Sequence, residues 1–171
     1  MEYIKKLSTK ENELVKDFFE NVVIYCALIE NCDSVENEKF LKKVFDAITK
    51  LMNLGMVLPD VPSVNEQPLK RLVDSKQRLK IISKVNEKLG KYDYYWFVFD
   101  SIEGGDPVGS FLGGDLVDIY LDLKIGLETF NKSGEDYKFD AIWHWLFGYR
   151  YSWGTLAVND IKAVYDIIVN Y

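Results

Sequence analysis

Apolar residues recur at helical spacing along most of this chain, and the recurrence divides it into segments. Ser8-Thr9-Lys10-Glu11 has the form of a capping box, in which the serine and glutamate side chains satisfy each other's backbone N–H groups. Leu14, Phe18, Val22, Cys26 and Ile29 follow at three- and four-residue steps and predict a first helix over about 11–31. Phe40, Leu41, Val44, Ile48 and Leu51 define a second near 35–54, which Gly55 closes, and the short connection makes the pair antiparallel. Pro59, Pro62 and Pro68 exclude a regular helix between 56 and 67. A third helix is expected over 69–89, with Leu72, Leu79, Ile82, Val85 and Leu89 on one face and Lys76, Lys80, Lys84 and Lys88 on another.

The second half is less regular. Tyr92 to Asp100, YDYYWFVFD, has strand propensity, but it is short and no second strand stands out to pair with it. A short helical turn over 92–99 is therefore expected. Ser101 to Gly114 holds five glycines and a proline and reads as the longest loop. Leu116, Ile119, Tyr120, Leu123, Leu127 and Phe130 predict a helix over 115–130. Phe139 to Gly154, FDAIWHWLFGYRYSWG, then carries three of the four tryptophans and the only histidine. As a helix over 138–153 it bears rings on two stripes, Trp143 with Phe147 and Trp145 with Tyr149 and Trp153, so it is expected to be covered on more than one side. Gly154 either kinks it or separates it from a last helix over 155–169. The fold class is all-α: a single-domain bundle of six to seven helices around an aromatic-rich core centred on the helix 138–153.

Composition agrees with one such core. The chain has 171 residues, 48% hydrophobic and 15% aromatic, enough for one domain without a disulfide or metal staple. Lysine and arginine number 21 against 27 acidic residues, a net charge of -6 that argues against general nucleic-acid binding. The charge is segregated, since Leu69 to Lys91 carries eight basic residues against two acidic ones. Cys26 and Cys32 read as buried thiols. No run of 18 or more apolar residues occurs, so no membrane span is expected, and cytoplasmic residence is the default.

Two segments resemble the signature blocks of the bacterial family called domain of unknown function 5063: GGDLVDIYLDLKIGL from Gly113 to Leu127, and AIWHWLFGYRYSWGTLAV from Ala141 to Val158. The family pattern is matched at Asp115, Asp118, Tyr120, Asp122, Lys124 and Gly126, and again at Trp143, Trp145, Phe147, Trp153 and Gly154. YDYYWFVFD is similar to a third family block. The likeness is good from Lys91 to Val158 and extends over the first 90 residues only in helical outline. It implies an all-helical cytoplasmic protein and no assigned activity. Many relatives carry histidine where this chain has Ser152 and Leu156, so a metal or proton-transfer role for those positions is not implied here.

Candidate chemistry is sparse. Asp115, Asp118 and Asp122 lie at i, i+3 and i+7, which puts three carboxylates on one side of a helix. They either hold a magnesium ion, with His144 or the glycine-rich loop completing a pocket, or serve as a helix cap and partners for Lys124 and Arg150. His144 is an acid–base candidate oriented by Asp140, or a half-buried structural side chain. Arg150 among Tyr149, Tyr151 and Trp153 either grips an anion or stacks at a core boundary. The lysine row at 76, 80, 84 and 88 is either a partner face or a solvated one. With no assembled catalytic set, the expected function is a protein-interaction or adaptor domain, binding another protein or a second copy of itself. A small-molecule or phosphoester-binding enzyme, with a divalent metal held by Asp115, Asp118 and Asp122, is the alternative.

Overall fold

The structure, a computed structural model, describes residues 4–65 and 72–170. Six helices, α1 (Thr9–Glu30), α2 (Asn37–Gly55), α3 (Ser75–Leu89), α4 (Leu112–Phe130), α5 (Glu135–Tyr151) and α6 (Trp153–Asn170), form one domain. A hairpin of β1 (Tyr94–Val98) and β2 (Pro107–Phe111) is inserted between α3 and α4. Among the described residues no helix is long and apolar enough to cross a membrane.

Helix starts follow local chemistry. Ser8 and Glu11 form the expected box, with the Ser8 N–H donating to Glu11 Oε2 at 2.8 Å. A second box begins α3, where Asp74 Oδ1 accepts from the Gln77 N–H at 2.7 Å. It sets the start of α3 at Ser75, beyond Leu72 and Val73; the expected start at 69 lies outside the described residues.

Helix α4 is the hub, packed against α1, α3, α5 and α6. Trp145 of α5 lies at the centre, fully buried, 5.2 Å from the Phe18 ring of α1 and 5.6 Å from Phe130 of α4. Its indole N–H donates to Leu123 O at 3.0 Å, which removes the cost of burying a polar atom. The ring can reach α4 because Gly126 has no side chain: a Cβ there would sit 2.1 Å from Trp145 Nε1. Trp153 is also buried, and its N–H donates to Trp145 O at 3.0 Å across the break between α5 and α6. Gly154 thus belongs to a new helix and does not kink the old one. The aromatic core sits on α5 as expected.

Two expectations are overturned. The helix 138–153 is not covered on both sides: Trp143, Phe147 and Tyr151 are 37%, 47% and 70% exposed and stack in an open row, centroids 5.1 and 5.0 Å apart. Its neighbours α4 and α6 hold the Trp145 side and leave the opposite stripe free. The segment 92–99 is not a helical turn. It supplies β1, which pairs antiparallel with β2 in the register Tyr94 to Phe111, Trp96 to Gly109 and Val98 to Pro107. The partner strand comes from within the supposed loop, as PVGSF, and Gly109 permits it by lying under Tyr94, whose Oη would be 1.8 Å from a Cβ at that position.

Candidate functional site

The hairpin joins the bundle through its inner face. Tyr95 points inward, its hydroxyl 2.8 Å from Asp115 Oδ2 on α4 and 3.2 Å from Asp160 Oδ1 on α6. Ser110 of β2 also donates to Asp115 Oδ2, at 2.7 Å. Asp160 is wholly buried and its Oδ2 has no hydrogen-bond partner among the described residues. Burial, reinforced by the nearby Asp115 charge, pushes its carboxyl well above the ordinary carboxylate range. The Tyr95 hydroxyl thus bridges two carboxyl groups, with the shorter of its two contacts to Asp115.

The outer face is bare. Tyr94, Trp96, Val98 and Phe111 are all more than one-third exposed, with Tyr94 edge-on to both Trp96 and Phe111. At the tip, Phe99 and Ile102 are 88% and 95% exposed, although the turn itself is well held: Asp100 Oδ1 accepts from the N–H groups of Ile102 and Glu103, both at 2.9 Å. Beside the hairpin runs an open groove of about 1230 Å³. One wall is every residue of β1 and no residue of β2; the other is a stripe of α6 from Thr155 to Ile167 at three- and four-residue steps. Tyr149 and Arg150 close one part of it, and Lys91, Arg150 and Lys162 give it three cations against one carboxylate, Asp166.

The three aspartates of α4 do not converge. Asp115 serves the hairpin. Asp118 takes a two-pronged bond from Arg78 of α3, at 2.7 and 2.6 Å. Asp122 faces His144, whose Nε2 lies 3.0 Å from Asp122 Oδ1 and 3.0 Å from Asp122 O. Burial would raise the Asp122 carboxyl, but hydrogen bonds from His144 and Ser152, together with the Trp153 N–H at the start of α6, hold it below its ordinary value. Among the described residues no group of three or more His, Cys, Asp or Glu side chains could hold a metal ion. Spacing along one helix set the face of these carboxylates, while neighbouring elements took each in a different direction.

Other expected partners change as well. His144 is oriented by Asp122 and not by Asp140. Asp140 instead anchors the connection after α2, accepting from the N–H groups of Val64 and Asn65 at 2.7 and 3.1 Å and from Ser63 Oγ at 3.1 Å. Arg150 reaches Asp60 at 2.9 Å, and Lys124 pairs with Glu30 of α1 at 2.9 Å. The lysine row divides: Lys84 pairs with Asp33 and Lys88 donates to Asp33 O and Val35 O, docking α3 onto the turn after α1, whereas Lys76 and Lys80 remain exposed. Asp160 escaped the sequence reading although a signal was present. It lies on the buried α6 stripe with Trp153, Ala157 and Val164, and an acid in an apolar stripe marks a buried, neutral carboxyl or a paired one.

A six-helix domain with an inserted, outward-facing aromatic hairpin is what fold and site define. The chain belongs to the family described as Domain of unknown function (DUF5063), whose model matches residues 9–170. The crystal structure of protein BF1032 from Bacteroides fragilis is similar, with a TM-score of 0.81 over 93% of this chain and 94% of that one. At 19% sequence identity the likeness is one of fold. No curated protein matches the chain.

Proposed function

We propose that this protein is a non-enzymatic interaction domain whose contact surface is the β1–β2 hairpin, acting in the cytoplasm on another protein or on a second copy of itself. The observation that carries this reading is the run of bare apolar side chains on one small, rigidly anchored element: Trp96, Phe99 and Ile102 are 64%, 88% and 95% exposed. Large apolar groups concentrated on a projecting element are a liability for a monomer and a common mark of a contact surface. The carboxylates that invited a metal-dependent reading are already engaged, with Arg78, with Tyr95 and Ser110, and with His144. Two unpaired, buried thiols, Cys26 and Cys32, favour a reducing compartment.

The test is co-purification of the tagged full chain, wild type against the triple variant Trp96→Ser, Phe99→Ser, Ile102→Ser. These side chains lie outside the core, so the melting temperature is expected to stay within a few degrees. Loss of the co-purifying proteins, or of self-association, supports the reading. Partners that survive the triple variant but are lost on Lys76→Glu with Lys80→Glu would move the surface to α3. A chain with no partner in either form would refute the proposal.

A further inference from the structure

We infer that the groove between β1 and α6 takes one extended, acidic peptide segment of a partner protein, added as a third strand to the free edge of β1. This rests on the interaction-domain reading and names the chemistry of the partner. The ladder register decides which backbone groups are available. The Leu112 N–H donates to Asp93 O at 2.7 Å, so the Asp93–Leu112 pair is a hydrogen-bonded one. Antiparallel pairs alternate, which makes Tyr95–Ser110 and Phe97–Val108 the next bonded pairs and turns the N–H and C=O groups of Tyr94, Trp96 and Val98 outward. Pro107, opposite Val98, fits this register because its missing N–H would have pointed away from β1. Among the described residues nothing pairs with the outward edge of β1, and that edge is the side on which the groove lies, since β1 lines it throughout and β2 does not.

Dimensions agree. Five steps of β1 and its extension, from Tyr94 to Phe99, span about 17 Å at roughly 3.4 Å per residue. The α6 wall from Thr155 to Ile167 spans about 18 Å at 1.5 Å per residue. A strand of about five residues therefore fills the groove, its alternate side chains facing α6 and the open aromatic face. Charge selects among such strands. Lys91, Arg150 and Lys162 outnumber Asp166 in a protein whose net charge is -6. The Arg150–Asp60 and Lys162–Asp166 pairs are surface pairs, which a ligand carboxylate can replace at small cost.

The experiment selects binders from a displayed library of random seven-residue peptides on the full chain, then measures purified peptides by titration calorimetry. The expected winners carry β-branched or aromatic residues at alternate positions and one or more acids. Their affinity should fall roughly tenfold or more when Lys91, Arg150 and Lys162 are changed to Glu together. N-methylation along the peptide, measured against unaltered protein, should weaken binding at every second residue and be tolerated between them, because only alternate peptide N–H groups face β1. Winners that bind with no alternation would overturn strand addition while leaving an interaction surface in place. Absence of any winner would overturn the inference. So would winners without acids, a single-stranded oligonucleotide that competes for the groove, or a dimer formed through β1 that excludes peptide.

Discussion

Asp160→Asn removes a titrating group without changing its shape. In the native protein the Asp160 carboxyl is completely buried, lies 3.2 Å from the Tyr95 hydroxyl and is held well above its ordinary pKa because burial and the Asp115 charge oppose its ionisation. The unfolded chain ionises the same group near pH 3.9. The native pKa is the higher of the two, so the folded state binds the extra proton, and stability falls as pH rises from the unfolded value through the native one. The slope for one proton is about 1.4 kcal/mol per pH unit. Asparagine keeps an Oδ1 where Asp160 Oδ1 faces the Tyr95 hydroxyl, so that contact is kept and the slope is removed. Urea denaturation at pH 5, 6 and 7 should show the variant gaining on the wild type as pH rises, by up to about 1.4 kcal/mol per unit for as long as the native carboxyl holds its proton. Parallel stability profiles over that range would refute a raised Asp160 carboxyl at the hairpin–bundle junction.

Gly126→Ala places a methyl 2.1 Å from Trp145 Nε1 and is expected to cost about 1–3 kcal/mol or more, read as a lower urea midpoint. Asp140→Ala should cost about 1–3 kcal/mol and open the connection at 63–65 to proteolysis, since four hydrogen-bond donors lose their acceptor. Those donors hold the Asp140 carboxyl below its ordinary value against the effect of burial. Its contribution is therefore present at neutral pH and is lost below about pH 4, where the unfolded chain starts to take up the proton and the native carboxyl follows. Burial pushes the Cys26 thiol up to about 12, so a disulfide reagent should leave it unmodified until the protein is denatured. Arg78→Ala should cost only about 1 kcal/mol, and less in high salt, because the pair with Asp118 is 37% and 41% exposed.

Regular helices were legible because a stripe of apolar residues at helical spacing has one structural solution. Leu116, Ile119, Leu123 and Leu127 are all buried on α4, as their spacing requires. The hairpin was illegible because β2 is Pro-Val-Gly-Ser-Phe, a sequence with loop composition whose strand conformation comes from pairing with β1 and from Ser110 and Tyr95 bonding to Asp115. The exposed row on α5 was misjudged because hydrophobicity states that a side chain favours cover without stating that cover exists. The aspartates of α4 show the same limit from the polar side. Their shared face followed from helix geometry, but Arg78, Tyr95 and His144 arrive from three other elements and draw them apart.

Amide hydrogen exchange reads the free edge of β1 residue by residue. In the free protein the N–H groups of Tyr94, Trp96 and Val98 should exchange much faster than those of Tyr95 and Phe97, and saturation with a selected acidic peptide should slow the first set roughly tenfold or more. Outward amides that are already protected without peptide, or that remain fast when peptide is bound, would contradict strand addition to that edge.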